Sequence, residues 1–289
     1  MKRKLALLLL LLPLLALSCG RVHKALQIKG SDTMVNLAQA WAEEYMNLHP
    51  AESVAVTGGG SGTGIAALIS NATDIAQSSR NMEAKEIKQA EARGVEPKEL
   101  HVASDGISVV VHPSNPISKI TIPQISDIFT GKIRNWKELG GEDSKIVALS
   151  RERNSGTHVF FLEHVVKLGN KKNPNEFAPD VLMMPSSQAI VEEVRTNPQA
   201  VGYIGLGYLT NKEKALFVAK DKKNNYVYPT IVTVIKGEYP ISRSLLFYTN
   251  GKPNLKVKPF LDFVLSPVGQ KIVLKMDFVP IRLPEAPKK

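Results

Sequence analysis

Short alternating stretches and helically spaced apolar residues take turns along this chain. Leu26 and Ile28 alternate with polar neighbours and predict a strand; Leu37, Trp41 and Tyr45 then recur at the spacing of one helix face. VAVT (54–57) alternates again, and an apolar helix is predicted over 65–70. A short strand over 74–76 precedes a polar helix over 84–94. Two longer runs, VASDGISVVVH (102–112) and YPISRSLLFYT (239–249), predict the longest strands of the molecule. Between them the pattern predicts helices over 123–129 and 187–196, a turn at Trp136, and strands over 145–150 and 200–204. The C-terminal PFLDFVLSPVGQKIVLKMDFVPI reads as a pair of amphipathic helices, and PEAPKK as a frayed end.

Strands followed by helices almost throughout predict an α/β fold with mostly parallel strands. The chain is long enough for two domains. The two long strands are read as crossings between two lobes. Residues 25–106 plus 246–289 then form lobe I, and 107–245 form lobe II.

The connections carry the chemistry. Three of them share one pattern, in which a strand runs into glycine and hydroxyl residues that open a helix: GSDTM (30–34), GGGSGTG (58–64) and SRERNSGT (150–157). The first turn of a helix has backbone N–H groups without internal partners and a partial positive charge, which together suit a small oxyanion. Gly156 admits close backbone approach, Ser155 and Thr157 add hydroxyls, and Arg151 adds a fork of donors that fits two oxygens of one tetrahedral anion. A fourth turn, Ser78, Ser79 and Arg80, closes the 74–76 strand at the same kind of position, beyond a strand's carboxyl end.

Several catalytic readings fail on spacing. GGGSGTG has Thr63 where a hydrolase nucleophile elbow needs glycine, lacks the closing lysine of a nucleotide P-loop, and is not a dinucleotide fingerprint. The six histidines are scattered without metal-ligand spacing, and His158 reads as a helix-packing residue. No cofactor or metal is expected.

Residues 1–18 have the layout of a signal peptide: Lys2, Arg3 and Lys4, a leucine-rich core too short for a confident membrane span, then Cys19 and Gly20. Cys19 is the only cysteine, so a disulfide framework is excluded, and lipid attachment (palmitate) at Cys19 is the reading adopted. Ala16 stands where lipoprotein leaders usually have leucine. Removing the leader lowers the formal net charge from +10 to +7. No basic run is interleaved with aromatics, so nucleic acid is not an expected partner.

The ordered set GSDTM, GGGSGTG, DIAQSSR, DGISVVV, SRERNSGT, GYIGLGYL, YPISRSLLFYT and SPVGQK resembles the phosphate-binding lipoproteins of bacterial phosphate ABC importers, across essentially the whole mature chain. The resemblance implies a two-lobed periplasmic-binding-protein type II fold that closes on one inorganic phosphate and is not an enzyme. It also implies delivery to membrane permease subunits with a cytoplasmic ATPase, and an exported, lipid-anchored, monomeric protein on the periplasmic or outer surface. Carried over by position, the phosphate ligands fall on Thr33 and Met34 through the backbone, Ser61, Arg151, Ser155, Gly156 and Thr157, with Ser31 and Gly62 beside them and Ser79 at the strand-end turn.

At that strand end well-known members carry an aspartate that accepts the proton of bound phosphate, whereas this chain has Ser79 followed by Arg80. A hydroxyl donates or accepts and so rejects sulfate less by itself. Asp32 and Asp105 are the candidates for a substitute acceptor; Asp74 reads as structural and Arg80 as the partner of a lobe carboxylate. The alternatives left open are a binder of sulfate, molybdate or arsenate, and an enzyme acting on phosphate esters.

Overall fold

The structure, a computed structural model, describes residues 24–282; the leader, Cys19 and the PEAPKK end lie outside the described residues. The chain opens with strand β1 (Leu26–Gly30), a 3-10 turn over Asp32–Met34 and helix α1 (Val35–Leu48). Then come β2 (Val54–Thr57), α2 (Ser61–Ile69), β3 (Ile75–Ser78), α3 (Ala84–Ala92) and the long β4 (Pro97–Val111). The middle of the chain supplies β5 (Lys119–Thr121), α4 (Ile122–Phe129), β6 (Val147–Arg151), α5 (Gly156–Phe161), β7 (Leu182–Met184), α6 (Ser187–Thr196) and β8 (Ala200–Gly205). It ends with β9 (Lys214–Ala215), β10 (Phe217–Ala219), α7 (Ile231–Ile235), the second long strand β11 (Ser242–Asn250), α8 (Lys258–Leu265) and α9 (Pro267–Lys275).

One continuous sheet runs β2-β1-β3-β11-β4-β8-β6-β7, with β9 beside β4, and β10 and β5 form a separate pair. The expected parallel pairing holds for β1 with β2 and β3, and for β6 with β7 and β8. It does not hold at the two long strands, which run antiparallel to each other and to their outer neighbours. The reason is the connectivity: the chain passes from one half of the sheet to the other along β4 and returns along β11. β4 pairs with β11 up to Gly106 and with β8 from Ile107 onward, so a single strand belongs to both halves.

Each half has its own core. Trp41, Tyr45, Phe247, Phe260 and Phe278 pack α1, α8 and α9 against the first half. Trp41 is fully buried and its indole N–H donates to the Gly269 carbonyl at 2.8 Å. In the other half Phe129, Trp136, Phe161 and Tyr203 pack α4 and α5 against the sheet, with Phe161 and Tyr203 stacked at 3.7 Å. Truncating a buried aromatic of this kind to alanine costs about 3–5 kcal/mol, so two such anchors hold two halves that need not share a core.

Differences from the sequence expectation lie mostly at element ends. Helix α2 begins at Ser61, not at residue 65, because the glycine run ends at Gly60 and the helix takes in SGTG as its first turn. Strand β3 extends to Ser78, and β4 begins at Pro97. α5 starts at Gly156 and passes into a π-helical turn over Leu162–Val166.

Candidate functional site

The four turns meet. β1, β2 and β3 run one way and β6 runs the other, so the carboxyl ends of the two halves point toward each other, and the residues after them converge where the two halves face each other. Gly30 makes the first turn possible: its φ is +142°, and a Cβ there would lie 2.1 Å from the Gln77 carbonyl oxygen. Gly60, at φ +92°, lies so near the opposite loop that a Cβ would approach the Asn154 carbonyl at 2.7 Å.

Ser31, Ser61 and Ser79 form one hydroxyl cluster. Ser31 Oγ donates to Ser79 Oγ at 3.0 Å, Ser61 and Ser79 hydroxyls lie 3.4 Å apart, and Ser79 N–H donates to Ser61 Oγ at 3.0 Å. Thr33 Oγ1 and Thr157 Oγ1 meet across the cleft at 2.7 Å. Gly156 presses against the same cluster, since a Cβ there would sit 2.2 Å from Ser61 Oγ and 2.7 Å from Ser79 Oγ. Ser155 caps α5, its hydroxyl accepting from the N–H groups of Thr157 and His158. The Met34 side chain belongs to the core, and its N–H donates to the Ser31 carbonyl at 3.2 Å, while Gly62 N–H donates across the cleft to the Asn154 carbonyl at 3.0 Å.

Arg151 is buried at the end of β6. Its fork is held by the Met184 and Pro185 carbonyls and the Ser187 hydroxyl, and Nη1 lies 3.1 Å from Asp32 Oδ2 on the other side of the cleft. Asp32 also accepts from Ser187 N–H at 3.0 Å, and its carbonyl accepts from the Tyr208 hydroxyl at 2.8 Å. These contacts bridge the two halves across the cleft.

Both candidate acceptors are engaged by arginines. Asp32 faces Arg151 as described, while Asp105 Oδ2 accepts from Arg243 Nε and Nη2 at 3.2 and 2.9 Å and Oδ1 accepts from Leu206 N–H. Burial pushes the Asp105 carboxyl up and the Arg243 guanidinium down, while their mutual attraction opposes both shifts. Arg80 pairs bidentately with Glu86 at 2.7 Å, and Asp74 accepts from Gln27 N–H and Lys256, so both have the structural roles expected of them. His158 packs on Phe177, and its Nδ1 lies 3.2 Å from Ser150 Oγ, which is bonded in turn to the Tyr203 hydroxyl. Burial lowers His158 to about 4, so it is neutral near pH 7.

Sequence reasoning did not single out Arg243, Asn154, Ser187 or Tyr208 as site residues. A signal for Arg243 was present: it is a charged residue at an inward position of an alternating strand, between exposed Ser242 and Ser244. The other three act through backbone contacts or across the cleft, which no local pattern announces. Among the described residues no group of three His, Cys, Asp or Glu side chains converges as metal ligands.

The model of the PBP superfamily domain matches residues 20–268. The phosphate-binding protein PstS of Pseudomonas aeruginosa is 32% identical over 269 residues, an alignment covering 87% of this chain and 81% of that protein. The chain belongs to the PstS family. PstS of Bacillus subtilis is 34% identical over 261 residues, with 89% of this chain and 81% of that protein covered. Among solved structures, a Clostridium perfringens protein with bound phosphate superposes with a TM-score of 0.80 at 33% identity, covering 90% of this chain and all of that one. An ABC-type phosphate transport receptor from Vibrio cholerae gives 0.70 at 30% identity, with coverage of 88% and 99%. The two-lobed architecture expected from the sequence is thus that of PstS, with the four turns at the mouth between its halves.

Proposed function

We propose that this protein captures inorganic phosphate between its lobes and delivers it, chemically unchanged, to the permease of an ABC importer driven by a cytoplasmic ATPase. The observation that carries this reading is the convergence of Ser31, Thr33, Ser61 and Ser79 from one lobe with Arg151, Ser155, Gly156 and Thr157 from the other, all buried. The backbone N–H groups of Thr33 and Met34 belong to the same set, the latter exchanging the Ser31 carbonyl for the anion, with Gly62 as a close neighbour. A tetrahedral anion that bridges these donors replaces hydroxyl-to-hydroxyl contacts with charge-assisted ones, each contributing roughly 1.5–3 kcal/mol. Micromolar affinity needs only about 8 kcal/mol net, so a dozen donors tolerate large closure and desolvation costs. The lobes are taken as residues 25–106 plus 246–289 and residues 107–245, hinged at β4 and β11. Residues 1–18 are the export leader, and Cys19 carries the lipid that holds a monomer at the outer face of a membrane.

A second reading, a binder of tetrahedral oxyanions in general, has its own support: Ser79 stands where an aspartate acceptor is expected, and Asp32 and Asp105 are both held by arginines. Calorimetric titration of the ligand-stripped chain from Gly20 with phosphate and then sulfate, at two pH values, separates the two. Tight phosphate binding with sulfate excluded supports the phosphate receptor. Comparable affinities support the broader class, and binding of neither anion refutes the site.

A further inference from the structure

We propose that Arg243 is a further anion-binding residue, the second guanidinium of the site, and that Asp105 attenuates its charge. The proposal rests on the reading of the cleft as an anion site and extends it to the return strand β11, outside the four turns. Arg243 Nη1 donates to the Ser79 carbonyl at 3.1 Å, and Nη2 donates to Thr33 Oγ1 at 3.3 Å. The planar group therefore spans two of the turns from beneath. Through Thr33, which touches Thr157 at 2.7 Å, it is one hydroxyl away from the turn that opens α5.

A guanidinium has five N–H donors. Nε and one hydrogen of Nη2 go to Asp105, the other Nη2 hydrogen goes to Thr33 and one Nη1 hydrogen to Ser79. The remaining Nη1 hydrogen has no acceptor among the described residues, although the side chain is only 2% exposed. The Phe160 ring, 5.6 Å from Cζ, lies over the guanidinium. The Arg151 charge also lowers the Arg243 pKa, so the two cations sense each other across the hydroxyl cluster. An anion between them relieves that repulsion and gives the spare donor a charged acceptor.

The competing role is purely structural, with Arg243 present only to neutralise buried Asp105. Four ligand-stripped chains starting at Gly20 separate the two: the parent, Asp105→Asn, Arg243→Gln, and the double variant. Each is titrated with inorganic phosphate by calorimetry and melted without ligand. Asp105→Asn keeps an acceptor for Arg243 but removes the opposing charge, so phosphate binding tightens by about tenfold. The double variant has no buried charge left unpaired and melts near the parent, yet binds phosphate at least about thirtyfold more weakly.

A double variant within about threefold of the parent overturns the proposal, and so does an Asp105→Asn variant that binds no tighter. The second criterion stands even if both arginine variants fail to fold. A parent that binds sulfate in place of phosphate refutes the phosphate reading alone, and the same affinity ratios measured with sulfate then decide the role of Arg243. A parent that binds neither anion overturns both.

Discussion

Gly156→Ala isolates lobe closure from lobe stability. Gly156 opens α5 and is not among the residues with positive φ, so alanine is acceptable to its own lobe and favours the helix by up to about 1 kcal/mol. Its Cβ, however, would lie 2.2 Å from Ser61 Oγ, 2.7 Å from Ser79 Oγ and 3.0 Å from Ser61 Cβ, all on the other lobe. A real Cβ essentially never comes within 3.0 Å of such atoms. Rotating the Ser61 and Ser79 hydroxyls relieves the two shortest contacts only by breaking up the hydroxyl cluster, and Ser61 Cβ remains at 3.0 Å.

The lobes must therefore stop short of the closed position by something under an ångström. At that separation the Thr33 to Thr157 contact, now 2.7 Å, and its neighbours lose their geometry. If two charge-assisted bonds to the anion are lost at roughly 1.5–3 kcal/mol each, binding weakens by about 3–6 kcal/mol, or two to four orders of magnitude. Calorimetry gives the affinity, and a ligand-free melt reports the fold. Phosphate binding within threefold of the parent, or a melting temperature that falls while affinity holds, refutes the reasoning.

Arg151→Ala should weaken phosphate binding by roughly 2–5 kcal/mol, since a buried anion loses a charged partner, whereas Arg151→Lys should recover part of the loss; equal titration curves for parent and alanine variant count against a ligand role. His158 has a folded-state pKa of about 4 against an ordinary value of 6.5, so the unfolded chain binds more protons between these values. Stability from this group is complete above about pH 6.5 and is lost as pH falls toward about 4, by up to about 3 kcal/mol. Denaturant titrations across that window should show a shallower decline for His158→Gln, and an unchanged decline excludes the histidine as its source. Cys19→Ser should leave phosphate affinity intact and move the protein to the soluble fraction; a membrane-bound variant refutes the lipid anchor.

What the sequence made legible was local. The three glycine and hydroxyl turns, the strand-end pair Ser78 and Ser79, and the two crossing strands each announced themselves within about ten residues, because helix starts and strand alternation are written at that range. Arg80 and Asp74 were assigned structural roles from position alone, and Glu86 and Lys256 supply those roles. The antiparallel pairing of β4 with β11 was not legible, since two apolar strands more than a hundred residues apart read alike whichever way they run. Nor was the fate of Asp32 and Asp105. A carboxylate beside an anion site reads as a proton acceptor until its partner is known, and Arg151 and Arg243 lie 119 and 138 residues away in sequence.

Those two ion pairs bear on how closure is driven. The contacts across the mouth of the cleft are polar: Thr33 with Thr157, Asp32 with Arg151 and Ser187, Tyr208 with the Asp32 carbonyl, and Gly62 with Asn154. Neutral polar groups exchange water for one another at small net gain, about 1 kcal/mol per bond, and the bonds to the Asp32 carboxylate contribute roughly 1.5–3 kcal/mol each, so these contacts specify the closed register and supply only part of what closure needs. Trp41 and Trp136 anchor separate cores on either side, so the two halves do not depend on one shared core. On the proposed reading the remaining driving force is the anion, whose charge-assisted bonds exist only when donors from both lobes reach it. A ligand shifts such an equilibrium by no more than its differential affinity for the two forms. On that reading the difference is large, because Arg151 and the turn at Ser155 to Thr157 lie on one side and Ser31, Thr33, Ser61 and Ser79 on the other.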